Sequence, residues 1–222
     1  MQYEFSCVPA TFQRIEATLS QPRLGRYMLA AGADPHFALR LYIWNACLCE
    51  ALYLPLQTAE VAARNAVMVP VQGRFGPQWY QNLKFVNLLP QRMKDDLSKT
   101  LAREQKRRGA GMTENHVIAN LSFGFFVHLM TRSYGKHLWN RGVRMSFPAA
   151  GPHEDREAIY LMLDQLRVFR NNIMHHYAIF NRDPHRQYQN MLKIVELICP
   201  ETRWLVAEIS RVSQVINERP LA

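Results

Sequence analysis

Cysteine is scarce in this chain and poorly placed for cross-linking. Cys7, Cys47, Cys49 and Cys199 are the only thiols in 222 residues, without the crowding of a disulfide framework or the paired CxxC spacing of a zinc site. A reducing compartment is therefore expected. On a helix, Cys47 and Cys49 point to opposite sides, and the adjacent His175 and His176 also diverge, so neither pair has chelate geometry. No metal and no cofactor is expected. The opening MQYEFSCVPATFQRIE lacks a basic flank followed by an apolar run, and no stretch is read as reaching the ~18 uncharged apolar residues of a membrane span. These absences predict an unprocessed cytoplasmic protein with no membrane partner. Repeats, low-complexity tracts and alternating strand patterns are missing too. Ser122 lacks the strand-turn-helix setting of a nucleophile elbow, and the isolated glycines form no phosphate loop.

Acid is the minority charge. The 27 Lys and Arg against 18 Asp and Glu leave +9, with a pI of about 9.7, which favours a polyanionic partner. Nucleic acid leads that list, and an acidic protein or an anionic membrane surface are its rivals. The charge is uneven: residues 92–144 hold eleven Lys or Arg and four Asp or Glu, hence +7 of the +9. With 48% hydrophobic residues, the chain can close one good-sized core, and residues 1–222 are expected to form a single domain.

The patterning is helical. Phe12, Ile15 and Leu19 line one face, and Pro22 and the Gly32 to Pro35 turn punctuate the chain beyond them. The segment from Phe37 to about Val69 is apolar nearly all round, as in a core helix, and Pro55 is expected to kink or divide it. Pro70, Gly73, Gly76 and Pro77 suggest a loop leading to a short element at Trp79 and Tyr80. The run LSFGFFVHLM (121–130) reads as a buried helix, with His128 an ordinary, partly buried histidine. Beyond the Pro148 to Pro152 break, Ile159, Met162, Leu163, Leu166, Phe169 and Ile173 recur at three- and four-residue steps. Further helices are expected from about Gln187 to Cys199 and from Trp204 to Asn217. The expected class is all-α.

Chemistry concentrates in Arg167-Val-Phe-Arg170-Asn171-Asn172-Ile-Met-His175-His176. Arg167, Asn171 and His175 stack on one helical face, whereas Arg170 lies about 140° from His175. Serving one phosphate would take the reach of Arg170, a helix break near the histidines, or a second copy of the chain. RNA cleavage needs a base for the 2′-hydroxyl, an acid for the leaving 5′-oxygen and positive charge for the transition state. Histidine titrates near neutrality, and arginine offers a charged planar fork. Asn171 would orient an imidazole or bond the phosphate. The competing view is a helix end where His175 and His176 cap carbonyls and Arg170 solvates a surface.

A second constellation is Glu60 and Arg64 at i, i+4, with Asn65 beside them, set among Ala59, Val61, Ala62, Ala63, Ala66, Val67 and Met68. A matched pair fixing helix register is favoured over direct catalysis, and either would fit beside an active site. Arg103, Lys106, Arg107 and Arg108 form a basic run that reads equally as an RNA-binding stripe or a solvated face.

Taken together, RLGRY from Arg23, LYIWNACLCEAL, AEVAARNAV, FGPQWY, VIANLSFGFFVHLM, YGKHLW and VFRNNIMHHYAIF resemble, in that order, the Abi-like (abortive infection) family of the HEPN superfamily. The HEPN pattern is Arg, a polar residue and, after four to six intervening positions, His; Arg170, Asn171 and His175 fit it. The resemblance implies a HEPN-like helical bundle with additional N-terminal and middle helices and a metal-independent endoribonuclease. It also implies two motifs paired across a homodimer, and a phage-defence or toxin role held in check by a regulatory protein or an RNA antitoxin. The alternative is a catalytically silent RNA-binding or regulatory member. Asn172, Ile173 and Met174 depart from the basic residues usual after the Arg-Asn pair, and His176 also satisfies the spacing.

Overall fold

The computed structural model describes residue 5 and residues 8–221; Cys7 lies outside them. Among the described residues there are twelve α-helices and no strand. In chain order they are α1 (Pro9–Leu19), α2 (Gln21–Ala30), α3 (Pro35–Phe75), α4 (Leu83–Val86), α5 (Gln91–Arg108) and α6 (Glu114–Asn120). Next come α7 (Phe123–Leu129), α8 (Gly135–Leu138), α9 (Arg156–Met174), α10 (Pro184–Ile198), α11 (Pro200–Ile209) and α12 (Val212–Asn217). The all-α expectation holds.

Proline at the first turn marks several starts, because its missing N–H is unsatisfied there in any helix. Pro22 opens α2. Ahead of Pro35, the Asp34 carboxylate accepts from the backbone N–H groups of His36 and Phe37, the Asx cap that restarts the chain after Gly32 and Ala33, both at positive φ.

Helix α3 corrects the sequence reading. Neither Pro55 nor Pro70 divides it, and Gly73 also lies inside its 41 residues. Each proline removes one ladder hydrogen bond, but Leu52, Leu56 and Ala59 around the first and Val67, Met68 and Val71 around the second are buried. That packing outweighs the local loss, each fully buried Leu or Val side chain contributing roughly 1.5–3 kcal/mol. The helix stops at Gly76, whose φ of +78° supplies the left-handed terminator. Nor is α3 wholly interior, since Tyr53 and Val61 are about half exposed. By length and composition alone it is apolar enough to cross a membrane, with a mean hydropathy of 1.2 over a window 44% buried. Arg40, Glu50, Glu60, Arg64 and Arg74 interrupt it, so α3 contains no run of ~18 uncharged apolar residues.

Two compact units share the chain. The first comprises the described residues of Met1–Gln57, Val168–Leu192 and Trp204–Ala222. Its core holds Leu24, Tyr27, Trp44, Leu48, Phe169, Ile179 and Val212. The Trp44 indole N–H donates to the Val215 carbonyl at 2.6 Å, so the ring is both packed and satisfied. The second comprises Thr58–Arg167 and Lys193–Arg203. Its core includes Val67, Trp79, Phe85, Phe126, Leu129, Phe147 and Leu163.

Of the stripe expected on α9, Ile159, Leu163, Leu166, Phe169 and Ile173 are buried and Met162 is half-buried. The Asp155 carboxylate accepts from Ala158 N–H at 2.8 Å, a side-chain cap. The stretch after Pro200, expected as one run from Trp204 to Asn217, is instead α11 and α12, parted at Ser210 and Arg211.

Candidate functional site

The end of α9 is built like a Schellman motif. His175 N–H still bonds the Asn171 carbonyl in helical fashion. His176 N–H then bonds Ile173 O, and Tyr177 N–H reaches back to Asn172 O at 2.9 Å, the paired bonds that close a helix through a left-handed residue. That residue is His176, with φ of +57°, a conformation histidine tolerates better than most side chains. A helix break near the histidines, one of the three alternatives that the sequence leaves open, is present, but it falls at His176, while the His175 N–H keeps its helical bond. An ideal helix continued from Met174 to His175 would separate His175 from Arg170 by about 140°.

Arg170 and Asn171 are partly buried, while His175 and His176 are exposed. The Arg170 Nη1 lies 3.5 Å from the Asn171 Oδ1, the outer limit of a hydrogen bond. Arg167 is committed elsewhere, paired with Asp164 in its own helix at 2.7 Å.

Three residues that sequence reasoning does not assign to the site surround this cap in the first unit. Arg23, on α2, donates from Nη1 to the His176 carbonyl at 3.0 Å. The Arg26 guanidinium stands over the Tyr177 ring at 5.9 Å from its centroid, within cation–π range. The His175 and Tyr177 rings lie 6.1 Å apart and inclined by 44°. In sequence, RLGRY stands out only as part of the resemblance; its three-residue Arg spacing is the signal that puts both cations on one face of α2.

The segment leaving the cap is pinned from inside. Asn45, only 6% exposed, accepts from the backbone N–H of Ile179 at 2.8 Å and of Phe180 at 3.2 Å. Tyr27 packs against Phe180, and burial pushes its phenol well above the usual range. Burial likewise raises the Cys49 thiol to about 11, so it remains a packed neutral group at physiological pH.

Glu60 and Arg64 belong to the second unit. They are ion-paired, with side chains 12% and 14% exposed. Arg64 also donates to the Ala119 carbonyl at 3.0 Å and stands over Phe126, so it ties α3 to α6 and α7. The Glu60–Arg64 ion pair expected from sequence is thus formed, with both side chains largely buried. Asn65 is exposed. The two groups of proposed site residues thus lie in different units of the fold.

The basic run on α5 surrounds an acid. Glu104 is fully buried, with Arg108 Nε at 3.0 Å, Arg103 Nε at 3.6 Å and Arg107 Nη1 at 3.8 Å. The Arg108 hydrogen bond, reinforced by the neighbouring guanidinium charges, holds its carboxyl below the usual range. Lys106 is exposed. His128 is exposed rather than partly buried; its ring meets that of Tyr134 edge-on, and desolvation lowers its pKa. Among the described residues, no group of three or more His, Cys, Asp or Glu is placed to hold a metal ion.

Comparison with known proteins finds no matching family model, curated protein or solved structure.

Proposed function

We propose that the chain is a HEPN-type, metal-independent endoribonuclease of the Abi-like kind, acting in the cytoplasm in phage defence or as a toxin. The observation that carries this reading is the α9 cap. An exposed imidazole, His175, comes one helical turn after a partly buried Arg170 and Asn171, and Arg23 and Arg26 add positive charge beside it.

In the proposed reaction an imidazole removes the 2′-hydroxyl proton, O2′ attacks the adjacent phosphorus, and the bond to the 5′-oxygen breaks as that oxygen takes up a proton. The products are a 2′,3′-cyclic phosphate and a 5′-hydroxyl end. Arg170 holds the non-bridging oxygens, whose charge grows in the transition state, and Asn171 orients them. A homodimer lets Arg170 of one protomer act with His175 of its partner, which answers their divergence on one helix. Glu60, Arg64 and Asn65 serve as scaffold in this scheme.

The test is incubation of purified protein with mixed RNAs, with and without chelator, and then mapping of the ends. Cyclic-phosphate ends made in EDTA support the reading; cleavage abolished by chelator and restored by magnesium overturns it. A second reading, a silent RNA-binding protein, is favoured by one observation: His176 and Arg23 already serve to close the helix. It predicts RNA binding without new ends.

A further inference from the structure

We propose that Tyr177, with the Arg26 guanidinium over its ring, is the platform on which a base of single-stranded RNA stacks beside the cleaved phosphate. This deepens the nuclease reading and rests on it for the word cleaved.

Tyr177 is a large aromatic left 50% exposed, and its position is fixed on both sides. Its own N–H is bonded to Asn172 O, and two and three residues on, the chain is held by Asn45. The backbone that carries the ring is therefore held by the cap on one side and by the Asn45 anchor on the other. Its neighbours are the Arg26 guanidinium and the His175 imidazole. Neither Arg23 nor Arg26 has a carboxylate ion-pair partner among the described residues. By contrast, three arginines of α5 gather around Glu104. A fixed aromatic face beside unneutralised guanidinium groups is what non-sequence-specific recognition of single strands uses: the ring stacks on any base, and the cations track the backbone. A duplex keeps its bases stacked on one another and offers the ring none. In-line attack by O2′ also needs a nucleotide freed from helical stacking, so a base held on Tyr177 would leave the adjoining phosphate near His175.

The experiment uses the full chain and a short 2′-O-methyl oligonucleotide, which binds but cannot be cut. Anisotropy titrations compare wild type with Tyr177→Phe, Tyr177→Trp, Tyr177→Leu and Arg26→Gln, each with melting measured alongside. Tyr177→Leu should weaken binding about tenfold, while Phe and Trp stay within about twofold. Arg26→Gln should lower the salt slope by about one. On cleavable RNA, Tyr177→Leu should raise KM more than it lowers kcat. The proposal is overturned if Leu binds as well as Phe and Trp, or if a duplex of the same length shows the same Tyr177 dependence. Loss of binding in all three Tyr177 variants would assign the role to the hydroxyl and also overturn it. If wild type makes no new ends but binds in the Tyr177-dependent way, the nuclease reading fails and the platform stands. If wild type cuts while Tyr177→Leu leaves KM and affinity unchanged, the platform alone fails.

Discussion

The chain carries two groups of arginines whose surroundings differ in three dimensions. On α5, Arg103, Arg107 and Arg108 converge on the buried Glu104. At the α9 cap, Arg23 and Arg26 meet a backbone carbonyl and an aromatic ring instead. A cation already facing an acid gains less from a phosphate than one facing only dipoles, because part of its field is already neutralised. Charge density along a sequence is thus a poor guide to which cations are available. Residues 92–144 hold most of the net charge, yet the cations best placed beside the candidate chemistry are Arg23 and Arg26.

The largest effects should fall at the cap. Arg170→Ala and His175→Ala are each expected to lower the cleavage rate by about 100-fold or more with little change in melting, since neither side chain is buried in the core. His176→Ala should cost less. If His176→Ala abolishes turnover while His175→Ala is tolerated, the acting imidazole is the one outside helical register. Mixing Arg170→Ala with His175→Ala subunits should restore activity absent from either parent. A wild-type enzyme that cuts RNA while sedimenting as a monomer would exclude a shared site.

Next in size is the Glu60–Arg64 pair. Removing either partner by Ala should cost about 3 kcal/mol, because side chains only 12% and 14% exposed have little water to replace the lost ion pair; thermal melting measures it. Unchanged melting with lost activity would move the pair from scaffold to chemistry.

A direct comparison of the two arginine regions comes from salt-dependent RNA binding. Replacing Arg23 and Arg26 with Gln should flatten the slope by about two, whereas replacing Arg103, Lys106, Arg107 and Arg108 together should flatten it by less than its four charges allow. Equal change per charge would erase the distinction between the two regions. Glu104→Gln should steepen the slope by releasing its guanidinium partners. It should also remove a pH-dependent contribution to stability: Glu104 titrates lower in the fold than in the open chain, so its contribution is complete above the ordinary carboxylate range and disappears as pH falls below it.

The smallest effect is a gain. His176→Gly should keep or raise stability by up to about 1 kcal/mol, because glycine occupies the left-handed region without strain. His176→Val should lower it, and melting curves separate the two.

Much of this is legible in sequence. The α9 stripe, the buried α7 and the Arg170 to His175 spacing come from periodicity and residue type alone. Punctuation is what misleads: Pro55 and Pro70 read as breaks, because a local rule cannot count the apolar contacts on either side of a proline. Arg26 and Tyr177 are equally hidden, being 151 positions apart in the chain.

Sequence by itself determined the all-helical class, since a 3.6-residue apolar period cannot serve as a strand, and it determined which side chains could handle a proton or a phosphate. Tertiary structure decided which of them are at liberty to do so. It set Glu104 beneath one group of arginines, turned His176 out of the helix and left Tyr177 half exposed beside Arg26. The physical reason is that electrostatic and stacking interactions act over a few ångströms of space, and distance along the chain does not encode that separation.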